Sequence, residues 1–250
     1  MPVRNNPSRS LGSRESTLLK DTRYSKFILR KDATNLQTTE SKELRMVLGL
    51  DYGTSFTAVA FALDSETFQN IRLITDWPGR RSGSEKVPSQ IAYGSFPESQ
   101  ETWGTWGFNI PPSVARHTWT KRLLDADRIP QLQLTSDWNQ LKLEEGRSPY
   151  PTKKPKCIVQ DYLSAVKDHV FCCLKWVIPE IALNSLVLDV VITVPALWSD
   201  KAKELVFQAV KSSGFPQCGG KIMMVTEPEA AATYIIRATE SEFGGNFFKV

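Results

Sequence analysis

The sequence is poor in the residues that build zinc sites and disulfide frameworks. Its 250 residues include only two histidines, His117 and His169, which lie far apart in the chain and argue against a histidine-rich zinc site. There are four cysteines, none of them in C-x-x-C spacing: Cys157, Cys172, Cys173 and Cys218. We therefore expect reduced thiols, most of them packed in the core of a cytoplasmic protein.

Long apolar stretches are absent too. No run approaches the roughly 20 residues that a helix needs to cross a bilayer. No short apolar core followed by small residues opens the N-terminus, so we expect neither a secretion signal nor a membrane partner. With 41% hydrophobic residues, the chain is long enough to bury the core of one or two globular domains.

Positive charge is concentrated at the N-terminus. Residues 1–31 carry eight Arg or Lys against Glu15 and Asp21, while the net charge of the whole chain is +4. Residues 1–44 are polar and without periodicity, which predicts a disordered basic arm. Aromatic residues do not alternate with the basic ones, so we expect no nucleic-acid partner. A mitochondrial presequence is the alternative, against which the two acidic residues argue.

The ordered part is predicted to begin near Met46 with strands joined by short turns, which favours antiparallel pairing. A helix, a strand, a helix, a strand and a helix follow, which together predict an α/β fold with a mixed sheet, antiparallel leading strands and flanking helices. The expected strands are 46–51, 55–63, 71–75, 87–93, 187–194 and 222–225, the last two buried; the expected helices are 159–177, one from Ser199 or Asp200 to Gly214, and one with Pro228 in its first turn.

The turn between the first two strands has the composition of a phosphate-binding turn. Gly53 lets a backbone approach closely, and Thr54 and Ser55 add hydroxyl donors to the amides of the turn. Asp51, at the end of the first strand, can orient the waters of a magnesium ion. In isolation the same residues also suit an ordinary hairpin turn.

Two later segments change the interpretation of this turn. They are Val191-Ile192-Thr193-Val194-Pro195-Ala196, with Asp200 shortly after it, and Thr226-Glu227-Pro228-Glu229-Ala230-Ala231-Ala232. Together with Leu48 to Ser55, their order and spacing resemble the 70-kilodalton heat-shock chaperone family of the actin-like ATPase superfamily, in particular its divergent fungal-type members. The resemblance covers about residues 46–250 and implies a ribonuclease H-like lobe.

The resemblance also implies roles for individual residues. Lys121, in a segment similar to the family's Lys-Arg-Leu-Ile, would reach the γ-phosphate and the attacking water; Glu227 would position or deprotonate that water; and Asp51 would hold magnesium, through water. The implied nucleotide-binding residues are those of the first phosphate turn: Gly53, Thr54, Ser55 and Phe56. ATP or ADP and magnesium are the implied cofactors, a set suited to phosphoanhydride hydrolysis by positioning and charge neutralisation.

Two departures from the family pattern bear on the mechanism. Pro195 is present, but Lys203 stands where the family has an arginine, and a lysine cannot make the same forked hydrogen bonds. The family's second phosphate hairpin, Asp-x-Gly-Gly-Gly-Thr, is also absent from residues 45–250. We therefore expect a chain truncated before the second lobe, lacking the peptide-binding domain, with weak or no ATP affinity by itself.

Three functions stay open at this point. The first is an ATP-binding and ATP-hydrolysing chaperone-family protein of the cytoplasm, acting in protein folding. The second is a non-catalytic lobe that binds a partner such as a co-chaperone or nucleotide-exchange factor. The third is a sugar kinase of the same superfamily, against which Pro195 and Glu227 with their neighbours argue.

Overall fold

The computed structural model describes residues 44–63, 70–93, 105–125 and 153–243. The predicted basic arm, residues 1–44, lies outside these ranges except for Leu44.

The first two strands form the predicted antiparallel hairpin. Strand β1 (Arg45–Tyr52) pairs with β2 (Phe56–Leu63), and the pairing ends with Tyr52 opposite Thr57. Buried and partly exposed residues alternate along both strands, as expected where one face of a sheet meets a core.

The next strands are shorter than predicted. Strands β3 (Arg72–Leu73) and β4 (Val87–Pro88) both pair antiparallel with β2, whereas β5 (Ile91–Ala92) pairs with β6 (Thr105–Trp106) in a separate two-stranded sheet. The strand expected over 87–93 is therefore divided. Proline has no N–H group to extend a ladder, which is the physical reason that β4 ends at Pro88.

The remaining elements are α1 (Thr120–Leu123), α2 (Pro155–Lys175), α3 (Glu180–Ser185), β7 (Val187–Val194), α4 (Asp200–Ser212), β8 (Ile222–Thr226) and α5 (Glu227–Phe243). The predicted succession of helix, strand, helix, strand and helix corresponds to α2, β7, α4, β8 and α5, whereas the short helices α1 and α3 were not predicted. The predicted cap of α4 is confirmed, because the Ser199 side chain accepts a hydrogen bond from the Ala202 amide (3.2 Å). Pro228 lies in the first turn of α5, also as predicted.

The main sheet has the strand order β3-β2-β1-β7-β8, with β4 also paired to β2. Strands β1, β7 and β8 are mutually parallel: Leu50 lies opposite Ile192, and Val194 lies opposite Thr226. The predicted α/β fold with a mixed sheet and flanking helices is thus confirmed. Parallel pairing also brings the carboxyl ends of β1, β7 and β8 to one edge of the sheet.

The core lies between the sheet and helix α2, which packs in turn against α4. On β1, the inward residues Leu48, Leu50 and Tyr52 are all but fully buried. The Tyr52 ring contacts the ring of Tyr162 from α2, with centroids 5.8 Å apart. Each such buried side chain stabilises the fold by about 1.5–3 kcal/mol through the apolar area removed from water.

Strand β8 is not the buried strand that its composition predicts. Met223 and Met224, which point to opposite faces of the sheet, are 44% and 43% exposed. Strand β8 stands at the end of the strand order, next to β7 alone among the described strands, so it lacks the neighbours that would cover an internal strand. Four apolar or weakly polar residues in a row cannot by themselves distinguish the edge of a sheet from its centre.

The predicted packing of the cysteines in the core is wrong. All four are free thiols, but Cys157, Cys172 and Cys218 are exposed and only Cys173 is partly buried. Cys157, Cys172 and Cys173 lie on α2 and Cys218 lies in the loop before β8. Burial raises the pKa of the Cys173 thiol to about 12, so this residue stays protonated at neutral pH.

Within the described ranges, no helix combines the length and apolar character needed to cross a membrane.

A buried carboxylate joins three segments at the opposite edge of the sheet, where the parallel strands β1, β7 and β8 begin. Asp189, the third residue of β7, accepts hydrogen bonds from Arg45 Nη1 (2.6 Å) and from the amide of Lys221 (2.7 Å). Burial by itself raises the pKa of Asp189, but the hydrogen bonds from Lys221 and Arg45 outweigh it, and the net pKa is lowered. The ionised carboxylate therefore stabilises the pairing of β7 with both of its neighbours.

Replacing Asp189 should lower the free energy of unfolding in a pH-dependent way. Asp189→Asn keeps an acceptor for the Lys221 amide but removes the charge beside Arg45, so we expect a loss of about 1–2 kcal/mol at neutral pH, against about 2–4 kcal/mol for Asp189→Ala. Because the folded-state pKa is lowered, the contribution of the carboxylate is complete above its ordinary pKa, near 4, and disappears as the pH falls through the folded-state value.

Urea denaturation followed by circular dichroism at several pH values measures both effects. The difference between the wild type and Asp189→Asn should shrink as the pH falls below about 4. A difference that stays constant down to about pH 3 would show that the carboxylate charge contributes nothing to this junction.

Candidate functional site

The three segments that resemble the chaperone family converge at one edge of the main sheet. Asp51 and Tyr52 end β1 and lead into the turn at Gly53 to Ser55, Pro195 follows β7, and Glu227 follows β8. Since these strands are parallel, all three segments lie at their carboxyl ends. This edge is where open α/β sheets most often bind their ligands.

The turn between β1 and β2 is closed by one backbone hydrogen bond, from the Gly53 amide to the Phe56 carbonyl (3.0 Å). A side chain at position 53 would overlap that same carbonyl oxygen, so the close approach requires glycine. The amides of Thr54 and Ser55 donate to no other backbone group of the described residues. Of the four predicted nucleotide-binding residues, Thr54 and Ser55 therefore offer the free amides, while Gly53 shapes the turn and Phe56 accepts its bond.

Asp51 holds a defined position beside the turn. Its Oδ1 accepts a hydrogen bond from Thr193 Oγ1 on the neighbouring strand β7 (2.8 Å). Its Oδ2 lies 3.5 Å from the ammonium of Lys86, the residue before β4. The side chain of Asp51 is 41% exposed, so the carboxylate can still meet water or a hydrated cation.

Helix α1 brings the predicted lysine to the same edge, although it has only four residues. The Thr120 hydroxyl shares a hydrogen bond with the buried Tyr52 hydroxyl (O–O 2.6 Å). Downstream of α1, the Asp125 carboxylate accepts a hydrogen bond from Ser199, the cap of α4. The backbone enters α1 through Trp119 in the left-handed region (φ 54°), a conformation that costs a residue with a side chain about 1–2 kcal/mol. Tertiary contacts, and not helix propensity, thus fix α1.

Lys121 and Glu227 form an ion pair across 106 residues of sequence. Lys121 Nζ donates to Glu227 Oε1 at 2.7 Å, and the same ammonium lies 5.6 Å from the centre of the Trp198 ring. The pair is asymmetric, because the lysine side chain is only 4% exposed whereas that of the glutamate is 46% exposed. The cation is therefore held in place by the protein, and the carboxylate that binds it faces water.

The contacts of the site make a closed ring, which we call the site ring. Asp51 bonds to Thr193, which is two residues before the turn at Pro195 and lies opposite Val225 of β8. From Val225 the backbone continues through Thr226 to Glu227, which bonds to Lys121. The residue before Lys121, Thr120, bonds to Tyr52, and Tyr52 is bonded covalently to Asp51. The three predicted catalytic residues, Lys121, Glu227 and Asp51, are thus joined in one network.

Pro195 and Lys203 belong to the segment in which the sequence departs from the family pattern. Lys203, which stands in place of the family's arginine, approaches Asp200 of its own helix at 3.8 Å. Pro195 begins a turn in which its carbonyl accepts the Trp198 amide (3.2 Å). No described contact connects Lys203 with the site ring.

Three residues of the site were not singled out by sequence reasoning. Lys86 and Trp198 belong to no motif that we recognised, and Thr193 was quoted within a motif without a role. Only Thr193 had a usable signal: it is a hydroxyl residue in an otherwise apolar strand, close to its carboxyl end. The described residues contain no group of three or more His, Cys, Asp or Glu side chains able to hold a metal ion on their own.

Comparison with known proteins assigns no family. No protein-family model matches the chain, and a search of curated proteins finds no significant match. The resemblance to the chaperone family therefore remains a prediction from the motifs, to be weighed with the geometry of the site.

Two glycines of the hairpin provide a matched test of the turn. Gly53→Ala should push the Phe56 carbonyl away and break the bond that closes the turn, at a cost of about 2 kcal/mol or more in unfolding free energy. Gly49→Ala, in the middle of β1, meets only ordinary contacts with Ala60 and should change stability by less than about 1 kcal/mol. Chemical denaturation of both variants measures the difference, and equal costs would contradict the packing described for Gly53.

The asymmetry of the Lys121–Glu227 pair predicts unequal effects of removing each partner. Glu227→Ala leaves a buried ammonium without its counter-charge, so we expect a loss of about 2–3 kcal/mol in unfolding free energy. Lys121→Met keeps the apolar stem and leaves a carboxylate that water can solvate, so the loss should stay below about 1 kcal/mol. Thermal and urea denaturation test this order, and a larger loss for Lys121→Met would contradict it.

Proposed function

We propose that this chain carries the first lobe of an actin-like ATPase of the heat-shock chaperone type, that it binds ATP or ADP with magnesium at the carboxyl edge of its sheet, and that it acts in the cytoplasm on protein folding. The observation that carries the proposal is the site ring. It joins the buried cation of Lys121 with the part-exposed carboxylates of Glu227 and Asp51, and through Tyr52 it adjoins a glycine-dependent turn with free amides. These are the groups that phosphoryl transfer to water requires.

The arrangement of the main sheet supports the same proposal. A ribonuclease H-like lobe was expected from the motif resemblance, with a mixed sheet, antiparallel leading strands and flanking helices. The main sheet is mixed and its leading strands are antiparallel, since β1 is antiparallel to β2 and parallel to β7. Strand order alone does not specify chemistry, which depends on the residues of the site.

Asp51 has the chemistry that a magnesium ion needs from the protein. Magnesium is usually held by one or two carboxylates, with phosphate oxygens and water as its other ligands. Asp51 offers one part-exposed carboxylate beside the phosphate turn, and Thr193 fixes its orientation through Oδ1. When bound, the ion would neutralise charge on the phosphate chain and orient its oxygens.

The chain's own residues would divide the remaining work of hydrolysis. The amides of Thr54 and Ser55 would hold phosphate oxygens, and Lys121 would offset the charge that develops on the γ-phosphoryl group. Glu227 would orient the attacking water and accept its proton through Oε2, since Oε1 is bonded to Lys121. Water then forms the new P–O bond as the bond to the ADP oxygen breaks.

The affinity for ATP should be low, because the site lies open to solvent. The side chains of Asp51 and Glu227 are 41% and 46% exposed, whereas binding sites for small molecules usually enclose most of the ligand. We therefore expect a dissociation constant of roughly 0.1–1 mM for magnesium-ATP.

A second candidate function is a lobe that binds a protein partner without catalysing a reaction. It is favoured by exposed apolar residues on β8 and α5, which a soluble domain normally covers: Met223, Met224, Tyr234, Ile235 and Ile236. No comparable observation favours a sugar kinase. A partner-binding lobe of this kind needs no nucleotide, so a measurement of nucleotide binding distinguishes it from the first proposal.

Titration of magnesium-ATP into the purified chain, followed by the phosphorus NMR signals of the ligand, tests the proposal. We expect saturable binding that weakens at least about tenfold in Lys121→Met and in Gly53→Ala, a loss of about 1.4 kcal/mol. Lys175→Met serves as the control. Lys175 is an exposed lysine at the end of α2, paired with Glu180 of α3, the helix that leads into the start of β7 and not its carboxyl end.

Hydrolysis is measured on the same samples by release of phosphate, with and without hexoses. Slow release that is lost in Lys121→Met supports an ATPase, whereas ADP formation that requires a hexose points to the kinase. If the folded wild type shows no saturation by ATP or ADP at about 10 mM, the nucleotide site is rejected and the partner-binding lobe is favoured.

A further inference from the structure

We propose that Lys86 is a phosphate-binding residue of the same site and that it makes nucleotide binding partly independent of a divalent cation. This inference depends on the proposed nucleotide site and adds to it a residue that lies outside the resembling motifs. The ammonium of Lys86 lies 3.5 Å from Asp51 Oδ2, on the side of the carboxylate opposite to the Thr193 bond.

The backbone of Lys86 is fixed relative to the phosphate turn. Strand β4 begins at the next residue and pairs with the first residues of β2. The Ser89 amide donates to the Ser55 carbonyl (2.9 Å), and the buried hydroxyls of Ser89 and Thr57 share a hydrogen bond (2.9 Å). The Ser84 hydroxyl donates to the Lys86 carbonyl (2.8 Å). Lys86 is therefore held beside the turn by its neighbours on both sides.

The side chain of Lys86, in contrast, is loosely held. It is 53% exposed, and the 3.5 Å separation from Asp51 is long for a charge-assisted hydrogen bond. Such an exposed pair contributes little stability, so the ammonium can move to a better acceptor at little cost. Lys121 is the opposite case, since it is buried and bonded to Glu227 at 2.7 Å.

The charges of the site explain why a second lysine matters. Asp51 and Glu227 balance Lys86 and Lys121, so the four groups are neutral together. A triphosphate brings three or four negative charges next to Asp51, and without a cation the carboxylate would repel it. Magnesium is one such cation. Lys86 is a second cation. Its ammonium already lies beside Asp51, and its flexible side chain is long enough to turn from Asp51 to a phosphate oxygen.

The metal dependence of binding tests this role. ATP is titrated into the wild type and Lys86→Met with magnesium in excess and again with EDTA. We expect the variant to bind ATP at least about tenfold more weakly than the wild type in EDTA, and less than about threefold more weakly with magnesium. Lys86→Arg keeps the charge and should restore most of the binding in EDTA.

Lys175→Met is the matched control, because Lys175 is 52% exposed and paired with a carboxylate, yet lies at the end of α2, whose partner helix α3 leads into the start of β7 and not its carboxyl end. It should leave both affinities unchanged, and an equal loss there would reduce the Lys86 effect to net charge and overturn the proposal. Equal losses with magnesium and EDTA, or no loss, would overturn the role of Lys86 alone. If the wild type binds no nucleotide in either condition, the proposed function fails and this inference fails with it.

Discussion

The parallel pairing of β1 with β7 and of β7 with β8 is the constraint on which the site depends. It places Leu50 opposite Ile192 and Val194 opposite Thr226, so that three strands far apart in the sequence end at the same edge of the sheet. A shift of one residue would turn Asp51 or Thr193 to the other face and break their hydrogen bond. The buried carboxylate of Asp189 secures the same register at the opposite edge, where it bonds to both neighbours of β7.

The site contains two lysine ammonium groups that are held differently, Lys121 firmly and Lys86 loosely. Lys121 is buried and held by Glu227, and it belongs to a four-residue helix that is itself fixed by Tyr52 and by the cap of α4. Lys86 has a fixed backbone but a loosely held ammonium. A rigid charge suits the stabilisation of a defined transition state, whereas a mobile charge suits the capture of an incoming anion.

Burial is distributed unevenly over the sheet. The inward face of β1 packs against α2, with Tyr52 and Tyr162 in contact, while the outer strand β8 is about 40% exposed at both of its methionines. Tyr234, Ile235 and Ile236 of α5 are exposed as well. The stability of the described part thus comes mainly from the layer between α2 and the three central strands, and β8 with α5 is the region where local opening should require the least free energy.

The sequence by itself determined the fold class, the hairpin, α2 and the cap of α4, because alternation, helical periodicity, capping and turn chemistry are local properties. Turn composition also made Asp51 and Gly53 candidate site residues, whereas Lys121 and Glu227 were candidates only through the resemblance of their segments to a known family. The sequence did not determine which strands stand at an edge, so β8 and three of the cysteines were wrongly expected in the core. Only the tertiary structure decided that Lys121 is paired with Glu227, that Thr193 orients Asp51 and that Lys86 faces it. Those contacts join residues 35 to 142 positions apart, and no local pattern encodes a distance of that kind.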